Sequence, residues 1–151
     1  MRKKAVRLIT SFFYLGRSPF MPGTIGSLGG LIAYFIVGRN EIVYAFAILF
    51  LFTLGVLFSG EAERIYKRKD PSVIVIDEAT GMLLALYCVP YSPLAVVLGF
   101  FLFRVFDILK PPPARQIDRR AGALAIMLDD VVAAIYTNLI LQVIFRVFII
   151  S

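Results

Sequence analysis

The chain has 151 residues, is 60% hydrophobic and carries a mean hydropathy of +0.85, well above the roughly 45–50% apolar share of soluble domains. Its net charge of +6 does not point to nucleic acid, because the basic residues flank apolar runs and no aromatic-interleaved basic tract is present. There is no histidine and a single cysteine, which removes histidine bases, most zinc sites and any intrachain disulfide.

Residues 2–16 are basic and amphipathic. Lys3, Arg7 and Ser11 recur every four residues while Val6, Ile9 and Phe13 mark another face, a pattern that predicts a helix lying on a membrane. The short apolar stretch and the lack of a small-residue cleavage site argue against a signal peptide. After a Pro/Gly break, apolar segments cover residues 24–38 and 42–60, followed by a charged stretch over 61–70. A third segment runs over 73–89 and contains Cys88, which has no cation near it in sequence and reads as a packing thiol. A fourth covers 94–109 and stops at Pro111-Pro112-Pro113, which cannot continue a helix. A polar loop over 114–122 leads to a last segment over 131–150.

The expected fold is therefore all-α: a polytopic membrane helical bundle of about five apolar segments plus an N-terminal interfacial helix. It forms one domain over 1–151, with the interfacial helix in 1–17 and the helical core in 18–151. Several runs fall short of the ~20 residues that span a bilayer comfortably, so thinning or re-entrant segments are part of the expectation. With the N-terminus cytoplasmic, five spans put all but Arg39 and Arg146 of the sixteen Lys and Arg residues inside. The same topology gathers Thr24, Asp77-Glu78, Arg104, Asp107, Lys110 and Asp129-Asp130 on the cytoplasmic face.

Carboxylates beside apolar sequence are costly. One charge at a bilayer centre costs about 2.5–3.5 kcal/mol even on the lenient insertion scale, and paired like charges repel. A bound cation relieves both costs. Asp77-Glu78 opens the third segment and Asp129-Asp130 the last. Each pair has an ordinary alternative, as carboxylates at a helix N-terminus or as an N-cap. Arg104, Asp107 and Lys110 are three apart and share a helical face, suited to gripping phosphate; snorkelling with an internal ion pair is the alternative. Thr24, among glycines at a helix start, suits an anion; close packing through Gly26, Gly29 and Gly30 is the alternative. The basic cluster Arg64, Lys67, Arg68 and Lys69 reads as topology and attraction to anionic lipid.

Taken in order, Pro22-Gly23-Thr24-x-Gly26-Ser27, Asp77-Glu78-x-x-Gly81-Met82, Phe103-Arg104-x-x-Asp107-x-x-Lys110-Pro111-x-Pro113, Asp118-Arg119 and Met127-x-Asp129-Asp130-x-x-Ala133 resemble the phosphatidylglycerophosphatase A family over residues 18–136. The resemblance departs at Gly122-Ala123-Leu124-Ala125, where the family is richer in glycine. It implies a Mg²⁺-dependent phosphatase of the bacterial cytoplasmic membrane, active on its cytoplasmic side, that converts phosphatidylglycerophosphate into phosphatidylglycerol. The expected metal ligands are Asp77, Glu78, Asp129 and Asp130. Arg104, Lys110 and Thr24 would meet the phosphate, and Asp107 would orient Arg104 or act as base. A rival class is an ion-coupled transporter or channel subunit, which requires acids spread through the membrane depth. Here they gather on one face, apart from Glu41.

Overall fold

The computed structural model describes residues 2–149, and every regular element among them is helical. The elements are α1 (Arg2–Thr10), a short 3-10 turn (Leu15–Arg17), α2 (Pro22–Val37), α3 (Glu41–Tyr66), α4 (Ile76–Leu86), α5 (Pro93–Leu109), α6 (Ala114–Asp118) and α7 (Ala123–Val143), which continues as a π-helical stretch (Ile144–Ile149). Ile150, where the expected last segment ends, lies outside the described residues.

The all-helical expectation holds, and the expected number of full spans is met in part. Among the described residues, two helices, α3 and α7, are long and apolar enough to cross a membrane, and α2 is a shorter apolar helix. The third expected segment shrinks to the eleven residues of α4, a rise of about 16 Å. Nine of those eleven residues are buried, because α4 runs up the middle of the bundle against α2, α3, α5 and α7. Small residues permit that position. A Cβ on Gly30 of α2 would sit 2.7 Å from the Ala79 carbonyl oxygen, and one on Gly81 of α4 would sit 2.6 Å from the Phe103 ring. Close backbone approach of this kind drives helix association where no water is present to do so.

A helix that ends inside such a bundle exposes C-terminal carbonyls to an apolar environment, where each unmet group costs free energy. Side chains of neighbouring helices meet them here. Asn138 Nδ2 on α7 donates to the Leu84, Ala85 and Tyr87 carbonyls at 3.3, 3.1 and 2.8 Å. Gln142 Nε2 donates to Cys88 at 2.8 Å, and Tyr44 Oη on α3 donates to Leu83 at 2.8 Å. Cys88 itself is exposed rather than packed.

Helix boundaries differ from expectation for local reasons. The expected interfacial helix stops at Thr10, since Phe12, Phe13 and Tyr14 all adopt left-handed backbone conformations that L-residues avoid. α3 runs on past Gly60 to Tyr66, because Glu61, Ala62, Glu63 and Arg64 are good helix formers. Arg2 of α1 bonds Glu61 at 3.0 Å. α7 starts at Ala123 rather than residue 131, as Ala-Leu-Ala-Ile-Met also favours helix. Asp129 and Asp130 are thus its seventh and eighth residues, not N-caps.

Outward-facing surfaces of α2, α3, α5 and α7 are apolar. Ile36, Phe46, Phe50, Phe101 and Leu139 are all exposed, and large exposed apolar surface marks a site of membrane or partner contact. Together with α3 and α7, this surface marks a membrane-associated protein.

Candidate active site

Four helices deliver polar side chains to one end of the bundle: the starts of α2, α4 and α7 and the end of α5. Asp77 and Glu78 occupy the first turn of α4, and Asp130 is the eighth residue of α7. These three residues can each offer one carboxylate oxygen, all within 4.8 Å of one another. Asp77 and Asp130 are buried, at 7% and 3% exposure, and Glu78 is half-buried. One oxygen of each, Asp77 Oδ1, Glu78 Oε2 and Asp130 Oδ2, is buried with no hydrogen-bond partner. Three like charges with unmet oxygens are unfavourable without a cation between them. The donor set is all oxygen, the chemistry of a hard divalent ion such as Mg²⁺. The residues fit the expected metal.

Asp129 does not join the three. Its Oδ2 accepts from Lys110 Nζ at 2.7 Å, and its Oδ1 accepts from the Asp130 backbone N–H at 3.1 Å. Lys110 also reaches Asp118 at 2.6 Å. Lys110 therefore leaves the face it was expected to share with Arg104. It terminates α5 in a left-handed conformation ahead of Pro111, which turns its side chain towards α6 and α7. Burial pulls the Lys110 ammonium down, but the Asp118 and Asp129 carboxylates outweigh it and hold the group above its ordinary value. Lys110 is a fixed cation.

Arg104 and Asp107 do pair, at 2.8 Å, and both side chains are largely buried. Arg104 Nη1 also donates to Ser27 Oγ at 3.4 Å, and Ser27 in turn donates to the Gly23 carbonyl at 3.1 Å. Arg104 Nε has no partner. Gly23 lies between Arg104 and the acids: a Cβ there would sit 2.6 Å from Glu78 Oε1 and 3.2 Å from Arg104 Nη2. Thr24 follows it, half-buried in the first turn of α2. Asp107 lies within interaction range of Glu78 and Asp130. The arrangement sets a fixed guanidinium, and beyond it a fixed ammonium, beside a cluster of three acids. Its two cations can grip a phosphoryl group by charge.

Three residues were not among the expected site residues. Ser27 steadies Arg104. Asp118, from the five-residue α6, completes the Lys110 clamp. Asp70, before Pro71, lies within range of Lys110, Asp118 and Asp77. Asp118 was visible only as part of a motif, and Asp70 looked like one more charge in a solvated stretch.

A family model described as Phosphatidylglycerophosphatase A matches residues 8–145. A Bacteroides thetaiotaomicron protein, provisionally described as a phosphatidylinositol-3-phosphatase, is 34% identical over 90% of this chain and 91% of its own length. The Escherichia coli phosphatidylglycerophosphatase A is 33% identical over 85% of this chain and 76% of its own. The Haemophilus influenzae phosphatidylglycerophosphatase A is 37% identical over 79% of this chain and 76% of its own. No solved structure matches.

Proposed function

The chain belongs to the phosphatidylglycerophosphatase A family, and from that premise we propose that it hydrolyses the terminal phosphate monoester of phosphatidylglycerophosphate to give phosphatidylglycerol and phosphate. The observation that carries the reading is the triad Asp77, Glu78 and Asp130, whose unpartnered buried oxygens converge beside the Arg104 guanidinium. These three acids would hold Mg²⁺. When bound there, the ion supplies Lewis-acid polarisation of the phosphoryl oxygens and acidifies an attacking water.

The other residues act on the phosphate and on each other. Asp107 and Ser27 fix Arg104 through Nη1, leaving Nε to donate to a phosphoryl oxygen. The first turn of α2 offers backbone N–H groups and the Thr24 hydroxyl to the same anion. Asp129 and Asp118 hold Lys110 as a second positive charge at the rim, and Asp129 also orders the backbone of Asp130. Phosphate monoesters hydrolyse so slowly in water that enzymes supply up to ~10²¹-fold acceleration. Preorganised charge of this kind is the main means available.

The reading extends to the membrane. The apolar outer surface and the alternating helix directions support a multi-pass protein of the bacterial cytoplasmic membrane. Its acidic end would face the cytoplasm, as the distribution of Lys and Arg favours. Acids concentrated at that end, rather than along a path, argue against ion transport.

The test is phosphate release by detergent-purified protein from phosphatidylglycerophosphate, with Mg²⁺ and with excess chelator. Release that requires Mg²⁺ is the expected result. No release from folded protein in either condition would overturn the reading. Phosphatidylinositol-3-phosphate, the lipid in the Bacteroides relative's description, serves as the competing substrate. Faster turnover of that lipid would move the assignment to an inositol headgroup.

A further inference from the structure

The end of the bundle remote from the acids carries its own charged cavity. Arg39 and Arg146, the two cations that the expected topology leaves outside, both line one cavity of about 430 Å³. Arg39 comes from the α2–α3 turn and Arg146 from the continuation of α7. That volume falls in the range of small-molecule sites. Among the described residues neither arginine forms a salt bridge, although Glu41 lines the same cavity.

Tyrosines shape the walls. Tyr34 and Tyr91 stack with ring centroids 4.9 Å apart, and the Arg39 guanidinium lies over the Tyr91 ring at 4.8 Å. This contact orients the Arg39 fork without neutralising it. Tyrosines in such a ring are typical of the headgroup level of a bilayer.

A second hollow lies beside the first. About 320 Å³ in volume, it shares Glu41 and Tyr87 with the cavity and is otherwise lined by Ile42, Ala45, Phe46 and Leu49 of α3. Their i, i+3, i+4, i+7 spacing makes one apolar stripe along the helix. Ile42, Phe46 and Leu49 are exposed along it. A cavity lined by two arginines, beside an apolar groove along the outside of α3, matches the two halves of a phospholipid.

We propose that the cavity lined by Arg39 and Arg146, with the adjoining α3 groove, is a second lipid site: it binds an anionic phospholipid, phosphodiester on the arginines and one acyl chain along Ile42, Phe46 and Leu49. The site is separate from the acidic cluster. α4 carries Asp77 and Glu78 at its start and Leu86 of the cavity at its end, and α7 separates Asp130 from Arg146 in the same sense. The assignment of a lipid to this site rests on the membrane-embedded reading above.

The chain has no tryptophan, so Phe46→Trp gives a reporter in the groove alone. Its quenching would be titrated in detergent with phosphatidylglycerol bearing brominated chains. The comparison is diacylglycerol with the same chains but no phosphate, each tested with and without Arg39→Gln/Arg146→Gln. The expected result is quenching by the phospholipid at about tenfold lower mole fraction than by diacylglycerol, the scale of one or two headgroup–arginine contacts, and loss of that preference in the double variant. Equal quenching by the two lipids, or a preference that survives the double variant, overturns the proposal. Full displacement of the phospholipid by inorganic phosphate at equal concentration also overturns it, in favour of a free-anion site. Phosphate release measured on the same samples reads the acidic cluster, so failure there leaves the quenching result standing.

Discussion

At the residue scale, the acids divide into two groups that their spacing does not reveal. Asp77, Glu78 and Asp130 carry unmet oxygens, whereas Asp129 spends both of its oxygens on Lys110 and the Asp130 amide. The two groups should therefore fail differently. Asp130→Asn is expected to cut phosphate release by about 10²–10³-fold, the scale of removing one preorganised electrostatic group. Mg²⁺ held by the three acids would raise the melting temperature of the wild type through binding to the native state, and Asp130→Asn should abolish that rise. Asp129→Asn should lower the maximal rate while keeping that Mg²⁺-induced rise. An identical loss of Mg²⁺ stabilisation in both variants would remove the distinction. The acids themselves were legible in the sequence, because charge pairs beside apolar runs are costly and need a reason. The pairing of Lys110 was not. Its three-residue spacing from Asp107 implies a shared face, and only the left-handed backbone at Lys110 redirects it.

At the element scale, α4 is the part least visible in sequence. Its apolar run over 73–89 reads as a span, yet only eleven residues are helical. The signal that shortens it lies elsewhere in the chain, on Asn138 and Gln142, which accept the task of meeting its terminal carbonyls from α7. Two amides within the apolar α7 carry no motif and no partner that spacing can reveal. Asn138→Leu keeps a γ-branched side chain on α7 while removing the amide that donates to Leu84, Ala85 and Tyr87. A loss of about 1–3 kcal/mol in stability is expected for that change, read as a lower unfolding temperature in detergent. An unchanged unfolding temperature would show that water or lipid satisfies this end. The helix boundaries at α1, α3 and α7 were similarly hidden, since helix formers continue into stretches that composition marks as polar or as loop.

At the scale of the whole molecule, the positions of the acids and of the lone thiol set up a direct test of orientation. Cys88 is exposed at the end remote from Asp77 and Glu78. In intact spheroplasts a membrane-impermeant maleimide is expected to label Cys88 from outside, with no labelling of Cys88→Ser. Labelling only after lysis would invert the topology. The shortness of the outward-facing α2 and α5 has a mechanical result as well. With 16 and 17 residues, they rise about 24–26 Å, against roughly 30 Å of hydrocarbon in an ordinary bilayer. Lipids bordering these helices must shorten to match them, and the energetic cost of that deformation grows with their chain length. The enzyme is thereby coupled to the thickness of its host. Turnover in vesicles of defined monounsaturated lipids should decline steadily as the chains lengthen from 14 to 22 carbons, while the same protein in detergent shows no such trend, making the rate of headgroup chemistry a gauge of how thick the surrounding membrane has become.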